Sequence, residues 1–143
     1  MGSSGPPFTI GIEEEYLLVD KETRSLVVDP PESLMTECEE RCGAQVTPEF
    51  LRSQIEIGTK VCNNIKEAEI ELRRLRRIVI DVAANHGMAP IAASTHPFSR
   101  WSEQKQTEKD RYNALTVEMQ AAARRLLICG MHVHVGIDED ELR

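Results

Sequence analysis

The chain has 143 residues, 41% of them hydrophobic and 29% charged, which suits one soluble globular domain with a real core. No apolar run approaches the ~18 residues of a membrane span. A net charge of −7 with no basic block outside one helix face disfavours a nucleic-acid partner, whose phosphates call for lysine and arginine patches.

Residues 1–7, opening Met1-Gly2-Ser3-Ser4-Gly5, read as a flexible tail or cloning scar, and residues 8–143 as a single domain. Residues 8–19 form the first expected strand. Phe8, Ile10, Ile12, Tyr16 and Leu18 alternate with Thr9, Gly11, Glu13, Glu15 and Leu17. A polar turn over 20–25 leads to Leu26-Val27-Val28, a hairpin partner. Pro30-Pro31 interrupts, and 31–41 reads as a short acidic helix closed by Gly43.

A second strand is expected over 51–59, with Leu51, Ser53, Ile55 and Ile57 on one face and Arg52, Gln54 and Glu56 on the other. The strongest helix follows over 64–85, where Ile65, Ala68, Leu72, Leu75, Val79 and Val82 form an apolar stripe. Its early glutamates and later arginines suit the helix dipole and allow a Glu69–Arg73 pair. A short strand over 88–93 contains Pro90, which belongs at an edge or bulge. A polar loop over 94–106 begins with Thr95-His96-Pro97. A second long helix opens at Thr107 with Asp110 three residues on, and Gly130 stops it before a last strand over 131–137.

No glycine-rich phosphate loop follows any strand, which argues against a doubly wound parallel sheet. Strands with one apolar and one polar face belong instead to an α+β fold, an open antiparallel sheet covered by helices on one face. Four cysteines, Cys38, Cys42, Cys62 and Cys129, contain no CxxC pair and read as reduced thiols of a cytoplasmic protein.

Three strands carry unusual polar residues on one face. Glu13 and Glu15 are two apart, so their carboxylates lie on the same side, about 7 Å apart along the strand. Glu56 shares a face with Gln54, and His132 shares one with His134. Alternating charge on a solvated face, or an exposed histidine pair, would explain each feature alone. Together they make an oxygen-rich site suited to Mg²⁺ or Mn²⁺, with imidazole as a minority ligand. Glu14 falls on the apolar face, where a carboxylate needs a partner, and an arginine of the covering helices is the expected one.

Gly11-Ile12-Glu13-Glu14-Glu15-Tyr16 and Gly130-Met131-His132-Val133-His134-Val135-Gly136 resemble the signature strands of the second glutamate–cysteine ligase family, the bacterial carboxylate–amine ligases. More distantly they are similar to the Glu-x-Glu and Gly-Met-His-x-His strands of glutamine synthetase. Glu49 and Glu56, seven apart, resemble the acidic pair between those motifs. The resemblance spans residues 8–143 and implies a glutamine synthetase-like catalytic fold, incomplete in this chain, of which this is the N-terminal part. It implies ATP as co-substrate and an amide formed through an acyl phosphate. The partners it implies are an amino-acid carboxylate, glutamate, and an amine acceptor such as cysteine.

Carried over by residue, the resemblance makes Glu13, Glu15, Glu56 and His132 metal ligands. It places Glu49 in the metal or amino-substrate region, Gln54 and His134 beside substrate or nucleotide, and Thr95 and Arg111 in substrate-side segments. Family members are longer, so the remaining carboxylates and phosphate-holding basic residues are expected outside this chain, and the chain is expected to be an inactive fragment. A catalytically silent metal- or partner-binding half-domain and a metal-dependent phosphohydrolase are the alternatives. Exposed edges of an incomplete sheet also favour a homo-oligomer or strand exchange.

Overall fold

The structure, a computed structural model, describes residues 8–107 and 128–137. Its elements in chain order are β1 (Thr9–Asp20), α1 (Glu32–Cys42), β2 (Val46–Pro48), β3 (Gln54–Gly58), α2 (Ile65–Asn85), β4 (Met88–Ile91) and β5 (Met131–Gly136). The expected second long helix, and Arg111 with it, lies outside the described residues. No helix among the described residues is long and apolar enough to cross a membrane.

The sheet is open and antiparallel throughout, and β1 is its axis. β2 pairs with β3, and β3 with residues 13–17 of β1. On the other side of β1, β5 pairs with residues 9–14 and β4 with residues 17–20. Two short strands therefore lie end to end along one edge of a long one. The break between them falls at Glu15 and Tyr16. Pro90, which cannot donate to a ladder, sits in β4 at that edge, as its chemistry requires.

The alternation of β1 sorts its residues cleanly. Ile12, Tyr16 and Leu18 face α1 and α2, in a core with Leu34, Cys38, Val46, Ile55, Ile57, Leu75, Val79 and Val82. The odd-numbered face carries Glu13 and Glu15, then Leu17 and Val19, which pack with Leu26, Leu51 and Cys129 in a smaller second cluster. Both helices thus cover one face of the sheet, and the other holds the polar residues.

Glu14 emerges on the helix-covered face, where α2 supplies its partner. Arg76 grips both carboxylate oxygens, Nε donating to Oε2 at 2.8 Å and Nη2 to Oε1, while the Tyr16 hydroxyl donates to Oε2. Burial pushes the Glu14 carboxyl up, but the Arg76 and Tyr16 hydrogen bonds outweigh it and hold the group below its ordinary value. The Glu69–Arg73 pair also forms, at 2.8 Å.

Several local expectations need correction. Residues 26–28 make a single bridge to β1 rather than a strand. Asp20 Oδ1 instead accepts from the backbone of Glu22 and Thr23, tying up the turn in an Asx arrangement. The second strand begins only at Gln54, because Gln54 N–H donates back to the Leu51 carbonyl and closes a turn over Arg52 and Ser53. That turn puts Leu51 into the second cluster, not beside Ile55, and sends Arg52 to Asp29 at 2.9 Å. Ile65 heads the expected stripe yet is 67% exposed, at the first residue of α2.

Helix α2 starts where Asn64 caps it. Asn64 Oδ1 accepts from the N–H groups of Lys66 and Glu67 at 3.1 and 3.0 Å, and Glu67 reaches back to the Asn63 N–H at 2.8 Å. Asn64→Ala is expected to cost about 1 kcal/mol, seen as a lower urea midpoint at unchanged slope. An unchanged midpoint would remove the cap from the account of helix stability.

Candidate metal centre

The lateral register brings the polar residues into two adjacent groups. Glu15 pairs with Glu56 across β1 and β3, and Thr47 of β2 stands opposite Glu56. Glu49, just past β2, reaches the same place. Ligand oxygens of Glu15, Glu49 and Glu56 all lie within 4.8 Å of one another. One step along β1, Glu13 pairs with His132 of β5, and donor atoms of Glu13, His132 and His134 converge within the same limit. Residues expected to form one site thus divide into two triads, with Glu13 and Glu15 on different sides of the division.

Each carboxylate is held in place. Thr47 Oγ1 donates to Glu56 Oε1 at 3.0 Å, and the Gly130 N–H donates to Glu15 Oε2 at 2.9 Å. The Glu15 N–H in turn donates to the Gly130 carbonyl at 3.1 Å, so this glycine is bound to β1 at both ends. Glu49 accepts from the Phe50 N–H at 2.8 Å. Glu13 Oε2 lies 2.9 Å from His134 Nε2 and 3.3 Å from His132 Nδ1.

The electrostatics of the two triads differ in sign. The hydrogen bond from His134 holds the Glu13 carboxyl below its ordinary value, against a smaller opposing effect of burial. Burial pushes Glu56 up, and repulsion from Glu49, Glu13 and Glu15 adds to it, while Thr47 opposes. Among the described residues, none of these four carboxylates pairs with a lysine or arginine. A group of converging acids without a basic partner is a poor arrangement for protein alone and a good one for a divalent cation. Oxygen donors from three carboxylates, two of them fixed by hydrogen bonds from elsewhere in the fold, fit a hard ion such as Mg²⁺ or Mn²⁺.

The other expected site residues stand further back. Gln54 is buried, and both ends of its amide are engaged. Nε2 donates to the Ile128 carbonyl at 2.7 Å and lies 3.3 Å from Cys129 Sγ, and Oε1 accepts from the Leu51 N–H at 3.2 Å. It ties β3 to the segment that leads into β5. Thr95 is exposed on the loop after β4 and belongs to neither triad. Its neighbour His96 is buried, with Nε2 2.9 Å from the Arg24 carbonyl and Nδ1 accepting from the Ser99 N–H at 3.0 Å, so it fastens the loop. Thr47 and the Gly130 N–H are supports that residue order did not announce. A three-residue strand ending in proline gives almost no periodic signal, and a backbone donor gives none.

The family model for glutamate–cysteine ligase family 2 matches residues 9–142. The chain belongs to that family. Similar curated members, each named "Putative glutamate--cysteine ligase 2", come from Rhodospirillum rubrum (56% identical over 142 residues, 96% of this chain and 36% of the relative) and Paracoccus denitrificans (51% over 138 residues, 96% and 36%). The chain therefore spans about a third of the length of these glutamate–cysteine ligase relatives. A solved structure of glutamate–cysteine ligase from Francisella tularensis in complex with AMP superposes with a TM-score of 0.72 at 18% identity, over 96% of this chain and 28% of that one. A bifunctional glutathione synthetase from Pasteurella multocida gives 0.73 at 14%, over 93% and 18%. At those identities the likeness is one of fold, and it establishes the α+β sheet of such ligases as the architecture here.

Proposed function

We propose that the chain forms the cation-binding part of an ATP-dependent carboxylate–amine ligase, in which glutamate is activated as an acyl phosphate and attacked by an amine such as that of cysteine. The observation that carries this reading is the pair of triads, Glu15/Glu49/Glu56 and Glu13/His132/His134, side by side on one sheet face with no lysine or arginine partner among the described residues. Family membership supplies the reaction class, and the AMP held by the Francisella neighbour accords with use of an adenine nucleotide.

Bound Mg²⁺ or Mn²⁺ would offset the charge of the nucleotide phosphates and of the phosphoryl group in flight. The chain's own residues set the geometry for that. Glu15 and Glu56 face each other across two strands, fixed by Gly130 and Thr47, and Glu13 is steered by two imidazoles. No covalent nucleophile is needed, because electrostatics and positioning do the chemistry. The described cysteines fit no such role: all four are buried, and burial pushes Cys129, the one nearest the acids, up to about 11. Free buried thiols accord with a reducing compartment such as the cytoplasm.

The test is substrate dependence in the whole gene product. Phosphate release from ATP is expected to require Mg²⁺, glutamate and an amine together, with a γ-glutamyl amide accumulating in step. ATP hydrolysis at full rate without the amino acid or the amine would favour a phosphohydrolase and overturn the ligase reading.

A further inference from the structure

Glu15 and Glu56 lie inside strands and face each other across a ladder, but Glu49 does not. It stands after Pro48, where β2 ends, and before Gln54, where β3 begins. What aims its carboxylate is one peptide plane. Glu49 Oε2 accepts from the Phe50 N–H at 2.8 Å, and the carbonyl of that same peptide, on Glu49, accepts from Thr107 Oγ1 at 2.5 Å. A trans peptide is planar and stiff, and its N–H and C=O point in opposite directions. Holding the carbonyl therefore fixes where the N–H points, and the N–H fixes the carboxylate. A hydrogen bond on the carbonyl also polarises the peptide and strengthens its N–H as a donor.

The hydroxyl is itself held in place. The Thr107 N–H donates to the Phe50 carbonyl at 2.9 Å, Gln106 bridges to Leu51, and the Arg52 N–H donates to the Lys105 carbonyl at 2.9 Å. Lys105 Nζ and Arg52 Nε both reach Asp29, at 2.5 and 2.9 Å. Residues 105–107 thus run beside 50–52 as a short ladder, and the end of the loop after β4 brings the Thr107 side chain to Glu49. We infer that Thr107 is a positioning residue for the Glu15/Glu49/Glu56 triad. Through the Glu49–Phe50 peptide it keeps the Glu49 oxygen within the 4.8 Å of Glu15 and Glu56 at which one divalent cation can be shared. The inference rests on the cation-binding reading above.

The test titrates the metal-free whole gene product with Mn²⁺ and follows loss of the electron paramagnetic resonance signal of the free ion. Thr107→Val keeps the shape and the backbone N–H but removes the hydroxyl, and it is expected to weaken Mn²⁺ binding about tenfold. Thr107→Ser should restore the affinity, and Thr107→Ala, which adds no apolar bulk, should match the valine variant. In ATP turnover the Mg²⁺ concentration at half-maximal rate should rise by a similar factor, with a much smaller change in kcat at saturating Mg²⁺. In a Glu49→Ala background, where no carboxylate is left to aim, Thr107→Val should have no further effect on Mn²⁺ affinity. An effect as large in that background, an affinity unchanged by Thr107→Val, or a loss that Thr107→Ser does not restore would overturn this inference and leave the cation-binding reading standing. Absence of Mn²⁺ binding in the unsubstituted protein would overturn that reading and this inference with it.

Discussion

Arg76→Met is expected to destabilise the fold at neutral pH by roughly 2–3 kcal/mol. Removing one partner of a buried ion pair leaves the other charge in the interior. Here that charge is Glu14, whose side chain is only 8% exposed. The figure falls below the about 3–5 kcal/mol usual for a fully buried pair because Arg76 is itself half exposed, so its loss admits some water. The pH dependence carries the sign of the effect. In the native protein the Glu14 carboxyl is held below its unfolded value, so its contribution is complete above that value and is lost as pH falls through the folded one. Without Arg76, burial dominates and raises the carboxyl, and protonation then relieves the variant as the solution is acidified. The gap in urea midpoint between the two proteins should therefore narrow towards acid pH. Glu14→Met combined with Arg76→Met should recover most of the loss, because two apolar groups replace a pair and leave no orphan. A constant gap across pH would show that Arg76 acts through packing and not through Glu14.

Glu56→Gln is expected to act in opposite directions with and without cation. In the metal-free protein Glu56 is raised by burial and repelled by Glu49, Glu13 and Glu15. A raised folded value means that native stability falls as pH climbs from the unfolded value through the folded one. Glutamine removes that slope and leaves the metal-free fold somewhat more stable at neutral pH. Mg²⁺ at a hundred times its dissociation constant should then stabilise the native protein by about 2.7 kcal/mol and the variant by much less, so the order of the two thermal midpoints inverts. In the whole gene product the same substitution should lower Mg²⁺-dependent ATP turnover by at least roughly a hundredfold. Equal responses to Mg²⁺ in both proteins would detach Glu56 from the cation.

Much of this arrangement could be read from residue order alone. The alternation in β1 placed Glu13 and Glu15 on one face and Glu14 on the other, and it anticipated an arginine for Glu14. The 3.6-residue stripe placed α2. What residue order could not supply was lateral information. Which residue of β3 or β5 stands opposite Glu13 or Glu15 depends on strand register, and that register is what divides the acids and histidines into two triads. For the same reason His134 stood apart from the ligands when read by sequence, although its ring lies nearer Glu13 than that of His132. Gln54 looked like a contact for substrate because strand periodicity shows which face a side chain occupies, not whether a backbone carbonyl is waiting there.

The end-to-end placement of β4 and β5 has a mechanical consequence. Leu17 to Asp20 are clamped between neighbours and rooted in the second apolar cluster, whereas the histidine-bearing strand has β1 as its only ladder partner among the described residues. The seam at Glu15 is therefore a coupling point: Gly130, hydrogen-bonded to the Glu15 backbone and to its carboxylate, fastens the start of β5 to the acid of the neighbouring triad, so what β5 holds and how Glu15 is oriented are set together.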